Sequence, residues 1–110
     1  MTPRITTDFW VGAFRARMDR MHIPLYIRAK GDPTAGAVIL KIDSLDGAAQ
    51  AYARTHDLDG NEEWVPLADG PEPEVNAVLD RQQANDPDLW IIEVEDRTGR
   101  ALFTDDPLPR

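Results

Sequence analysis

A chain of 110 residues, 42% apolar and 29% charged, is long enough to bury a core as a single domain without cross-links. It has no cysteine, which excludes disulfides, thiolate nucleophiles and cysteine-based zinc sites. The net charge of −8 divides into +4 over residues 1–41 and −12 over residues 42–110, so a phosphate backbone would meet a mostly acidic surface and nucleic acid is not an expected partner.

The same split leaves one basic segment able to meet an acidic partner or a second copy of the chain. Arg15, Arg17, Asp19 and Arg20 interrupt the apolar positions of the first twenty residues, so they do not read as a secretory signal. No apolar run is long enough to span a bilayer. A cytoplasmic protein with no membrane partner is expected.

Residues 1–5 read as a lead-in to a helix. Thr6 or Thr7 can cap it, and Asp8 suits its first turn. Trp10, Phe14, Met18 and Met21 recur at helical spacing and form one apolar stripe, with Arg17 at its edge. Arg17 is either a side chain covering the rim of the core or a cation held over a ligand. Pro24 stops the helix after His22.

Leu25–Lys30 reads as a strand with Tyr26, Arg28 and Lys30 on one face. The loop Gly31–Gly36 leads into the apolar run Ala37–Ile42. Such a run, bounded by turn signals, is what a strand covered on both faces looks like. Ser44–Gly47 is a turn. Ala48–Thr55 is a strand with a small face of Ala49, Ala51 and Ala53, which leaves room for a closely packed helix. Residues 56–61 form a polar turn. Glu63–Leu67 is a short strand that Pro66 confines to an edge, followed by a link through Ala68, Asp69 and Gly70. Pro71 to Asn85 is a second amphipathic helix, with prolines and glutamates in its first turn. Leu89–Glu95 is the last strand. Residues 104–110 read as a mobile, proline- and aspartate-rich tail.

The expected fold is therefore α+β in two layers, with element order α-β-β-β-β-α-β. A mostly antiparallel five-stranded sheet carries both helices on one face. A single domain over residues 1–110 is expected.

Few motifs carry chemistry. The loop Gly31–Gly36 is not a phosphate-binding Walker loop, because no Gly-Lys-Ser/Thr follows and a strand comes next. It has two readings. In one, free amides of Thr34, Ala35 and Gly36, the Thr34 hydroxyl and the cations Arg17, Arg28 and Lys30 form a nest for a small anion, with Asp32 competing for the same amides. In the other, Asp32-Pro33 sets a turn and Gly36 relieves crowding. The stretch His56–Glu63 lacks the ligand spacing of a calcium loop, so no metal is expected. One serine and two histidines give no readable triad, and no catalytic residue is assigned. Glu93 and Glu95, on the last strand, are the carboxylates expected to be half covered. No cofactor is expected.

Asp8-Phe9-Trp10-Val11, Arg28 through Val38 and Asp86 through Glu93 carry a resemblance when taken together. Over about residues 4–103 the chain resembles the small bacterial family called domain of unknown function 1491. The Gly31-Asp32-Pro33-Thr34-Ala35-Gly36 segment is its most specific part. The resemblance implies a stand-alone cytoplasmic bacterial protein, and it brings no activity, cofactor or catalytic residue. Two functions remain. One is a non-enzymatic binding or protein-interaction module able to form a homodimer. The other is a small enzyme or anion-binding protein that uses the Gly31–Gly36 loop.

Overall fold

The computed structural model describes residues 5–56 and 58–98; Asp57 and the segments 1–4 and 99–110, which include the expected tail, lie outside the described residues. The elements are α1 (Thr7–Arg20), β1 (Leu25–Ala29), β2 (Val38–Asp43), β3 (Ala48–His56), β4 (Glu62–Pro71), α2 (Glu72–Asn85) and β5 (Trp90–Glu95). This is the expected α+β order of two helices and five strands. No helix among the described residues is long and apolar enough to cross a membrane.

α1 starts at Thr6, whose hydroxyl donates to Asp8 at 2.6 Å and so does not cap the helix itself. It ends in a Schellman turn. The Ile23 amide donates to the Met18 carbonyl at 2.9 Å, the His22 amide donates to Asp19 at 3.0 Å, and His22 takes a left-handed φ of 59°. A histidine there has to be held by the turn, because a left-handed backbone favours glycine. Pro24 then prevents any return to helix.

The sheet order is β1-β5-β2-β3-β4. β2 is the middle strand, as its apolar run predicts. It pairs antiparallel with β3 and parallel with β5, and β1 pairs antiparallel with β5. The expected meander of four consecutive strands therefore holds only for β2-β3-β4. β5 takes the place beside β2 that the meander gave to β1. A parallel pair needs a crossover, and β3, β4 and α2 supply it.

The helices do not share a face. Trp10, Val11, Phe14 and Met18 of α1 pack on Val38, Leu40, Ile42, Trp90, Ile92 and Val94. Val75 and Leu79 of α2 pack on Ile39, Ala49, Ala51 and Ile91, the residues that alternate with the first set. Alternate residues of a strand point to opposite faces. The two expected layers are thus three, helix on sheet on helix. The alanines of β3 admit α2 closely, as their size predicts.

β4 is longer than the expected Glu63–Leu67. Ala68, Asp69 and Gly70, read as a link, pair with Ala51, Gln50 and Ala49, and Leu67 is the extra residue of a bulge opposite Ala51 and Tyr52. The bulge lets the strand run past Pro66, which has no amide to donate.

Leu40 is fully buried in the central strand. Leu40→Ala should lower unfolding free energy by about 2–5 kcal/mol, measured by denaturant titration.

Candidate functional site

The Gly31–Gly36 loop is a joint between three elements. Its carbonyls receive the first amides of α1: Thr7 donates to Thr34 at 3.1 Å and Asp8 donates to Pro33 at 2.9 Å. The Thr7 hydroxyl, buried, donates to the Gly36 carbonyl at 2.9 Å. On the other side the Asp32 amide donates to Asp88 at 3.0 Å, and the Trp90 indole donates to the Asp32 carbonyl at 2.7 Å. A β-carbon at Gly31 would lie 2.0 Å from the Asp88 carbonyl oxygen, and one at Gly36 would lie 2.4 Å from the same atom. The glycines are required by close backbone approach.

The loop amides expected to form a nest are partly engaged. The Asp32 carboxylate accepts from Ala35 at 2.8 Å, and the Asp32 carbonyl accepts from Gly36 at 3.2 Å. This is the competition by Asp32 that the sequence allows. Two of the cations expected beside the loop, Arg17 and Arg28, lie away from it. Arg17 is half-buried near the far end of α1, ten residues and about 15 Å along the helix from Thr7. Arg28 reaches α2, bonding Asn76 at 2.8 Å and Asp80 at 3.0 Å. Lys30 is exposed. Of the expected set, Thr34, Ala35 and Gly36 line the neighbouring cleft of about 480 Å³, together with Thr6, Thr7, Arg54 and Thr55.

The cation of that cleft is Arg54, which by spacing alone is one of the large residues of β3. Its guanidinium lies 4.7 Å over the Trp10 ring, and its Nε donates to Glu62 at 3.4 Å.

A second cluster sits on the α2 face, around Lys41. This residue is buried at the centre of the sheet, within the run read as apolar. Its ammonium donates to Glu72 at 2.7 Å and Asn76 at 2.8 Å, and it lies 3.1 Å from Glu93. All three protons of the ammonium have an acceptor. Asp43, Glu72 and Glu93 bring carboxylate oxygens within 4.8 Å of one another, a spacing a metal ion could use. The Lys41 ammonium is the cation already there. Glu93 is half covered, as its place on β5 predicts; Lys41 could have been found as a lone charge inside an apolar run. The bond and charge of Lys41 hold the Glu72 carboxyl below the usual glutamate range. Of the His56–Glu63 stretch, Asp57 and the side chain of His56 lie outside the described residues.

Both clusters predict measurable effects. Gly31→Ala should destabilise by about 1–3 kcal/mol or more, since rigid backbone must move. Gly12→Ala, in open space on α1, should stabilise by about 0.5–1 kcal/mol, and thermal unfolding of the two variants checks the contrast. Lys41→Met should cost about 1–3 kcal/mol, because it leaves three half-buried carboxylates within 4.8 Å of one another without their shared cation. The Glu72 carboxyl titrates below its ordinary value of 4.5, so its contribution is complete above that pH and drains as pH falls through the lower folded value. Glu72→Gln should flatten this acid limb in denaturation curves taken at falling pH.

Comparison with known proteins gives the chain its relatives. A family model described as "Protein of unknown function (DUF1491)" matches residues 5–104. A crystal structure of a DUF1491 family protein from Caulobacter crescentus CB15 is 34% identical, with a TM-score of 0.82 over 96% of this chain and 100% of that one. An NMR structure of a DUF1491 family protein from the same organism is also 34% identical, with a TM-score of 0.78 over 92% of this chain and 94% of that one. The solution structure of a protein from A. tumefaciens, 24% identical, shares the fold with a TM-score of 0.71 over 84% of this chain and 86% of that one. No curated protein matches the chain. With the family model spanning residues 5–104, nearly all of the chain, the chain belongs to the DUF1491 family.

Proposed function

We propose that this chain is a protein-interaction module, not an enzyme, and that it works through the outer edge of β1. The observation that carries the reading is the contrast between the two edges of the sheet. β1 exposes Tyr26 at 52% and Ile27 at 38%, and among the described residues it has a strand on one side only. It contains no proline. A groove of about 460 Å³ between α1 and β1, lined in part by Gly12, Ala16, Ile23 and Leu25, runs beside it. β4, at the opposite edge, carries Pro66 and Pro71, a bulge, and the exposed acids Glu62, Glu63 and Asp69. Prolines, bulges and charges are the devices that keep a sheet edge from pairing. β4 carries all three along its length, whereas on β1 the one charge, Arg28, is bonded to α2 and the one irregularity follows Ile27, so Leu25 to Ile27 are free of them. An open edge takes an extended strand from a partner through main-chain hydrogen bonds.

A second reading keeps the Gly31–Gly36 loop as a small-anion site, favoured by the cleft beside it. There an anion would have to displace Glu62 from Arg54, and Asp32 from the amides of Ala35 and Gly36. The edge needs no such displacement, so it stands first.

A photo-crosslinking residue at position 26, with the same residue at Val65 on β4 as control, tests the edge in expressing cells. Val65 is exposed at 45%, comparable with Tyr26. Position 26 should crosslink to protein and position 65 should not. Absence of product at 26, or equal products at both positions, overturns the reading.

A further inference from the structure

We propose that the partner at this edge is a second copy of the same chain, its β1 laid antiparallel across a two-fold axis at Tyr26, so that two five-stranded sheets join into one. This partner presupposes the β1 edge proposed above.

The phase of the β1–β5 ladder selects the register. The Glu95 amide donates to the Pro24 carbonyl at 3.1 Å, and Leu25, Tyr26 and Ile27 face Val94, Glu93 and Ile92 in turn. Bonded and non-bonded pairs alternate along an antiparallel ladder. Pro24 and Tyr26 therefore turn their main-chain groups toward β5. Leu25 and Ile27 turn theirs outward. The irregularity after Ile27, where the backbone of Arg28 falls out of register with β5, interrupts that alternation before Ala29.

An axis at Tyr26 sets Leu25 of one copy opposite Ile27 of the other, twice. Every outward N–H and C=O of these two residues then has a partner. The same register sorts the side chains. Leu25 and Ile27 lie on the face that α1 covers, so the axis makes two apolar cross-strand pairs there. Tyr26, on the α2 face, meets Tyr26 of the other copy in a non-bonded pair, where side chains approach closest. The neighbouring registers are worse. An axis at Arg28 opposes two like charges. An axis at Ile27 sets Leu25 against Ala29, beyond the irregularity. Of these three registers the axis at Tyr26 pairs apolar with apolar on the α1 face and stays clear of the irregularity, a self-complementary arrangement of the kind a two-fold contact requires.

The charge pattern around Tyr26 supplies the test. Within one copy Tyr26 faces Glu93 across the ladder, and its hydroxyl lies 3.5 Å from Glu95. Tyr26→Lys gains attraction inside the copy and repulsion across the axis. Tyr26→Glu is repelled in both places. Light scattering on the purified full chain, at hundreds of micromolar, should give twice the chain's mass for the wild type and the single mass for each variant. An equimolar mixture of the two variants should recover the double mass, because lysine then meets glutamate across the axis. Circular dichroism of Tyr26→Lys should match the wild type. A monomeric wild type, variants that stay dimeric, or a mixture that fails to reassociate overturns the proposal. If position 26 still crosslinks in cells while the purified wild type is monomeric, the edge reading survives and the partner is a different protein.

Discussion

The placement of β5 depends on a backbone-to-backbone contact that a β-carbon would block. Gly31 and Gly36 sit against the Asp88 carbonyl, and from that approach the Trp90 amide reaches Ala37 at 2.8 Å, which begins the parallel pairing of β5 with β2. The same loop hands its carbonyls to the first amides of α1. One short segment thus fixes where β5 enters the sheet and where α1 starts. It also explains why the loop has little left for a ligand: most of the polar groups that would hold an anion already hold the protein together.

Lys41 does comparable work on the other face. A buried ion pair is not in itself evidence of stability, because removing two charges from water costs several kcal/mol. Its effect here is geometric. Glu72 and Asn76 are one turn apart on α2, and both accept from the same ammonium. That fixes the rotation of α2 about its axis and its distance from the sheet together. Apolar packing of Val75 and Leu79 on small alanines tolerates sliding, whereas hydrogen bonds from one nitrogen do not.

The elements themselves were legible. Residue spacing marked both helices, the alanine face of β3, the central position of β2 and the edge position of Pro66. Periodicity reports which face a residue takes; it does not report which strand lies beside which, so the insertion of β5 left no local signal. The second face was legible in part. The run from Val38 to Ile42 is apolar on both faces but for Lys41, which is the mark of a doubly covered strand and points to a helix on each side, against the single helical layer that the element order suggests. The charges were harder. Arg28 shares a strand face with Tyr26 as expected, but its partners Asn76 and Asp80 lie 48 and 52 residues away. Arg54 reads as an ordinary strand residue until Trp10, from another element, lies beneath it. Long-range pairing decides both, and spacing cannot show it.

The exposure of β1 follows from this layering. Five strands at about 4.8 Å spacing make a sheet roughly twice as wide as a helix of about 10 Å diameter. One helix per face cannot cover it. On the α1 face the gap toward β3 and β4 is filled by Tyr52, Trp64 and Arg54, with Trp64 5.6 Å from the Trp10 ring. Toward β1 the aliphatic side chains Met21, Ile23 and Leu25 pack against the core, and Ile27, beyond them, stands partly in solvent. On the α2 face Arg28 leans toward the helix and leaves Tyr26 uncovered. Apolar surface concentrated at an open strand edge is unfavourable in water and prone to pairing. The fold sets prolines, a bulge and acids along β4 and leaves the Leu25–Ile27 stretch of β1 without them, and a covering strand from outside relieves both the exposed side chains and the unpaired backbone in one step.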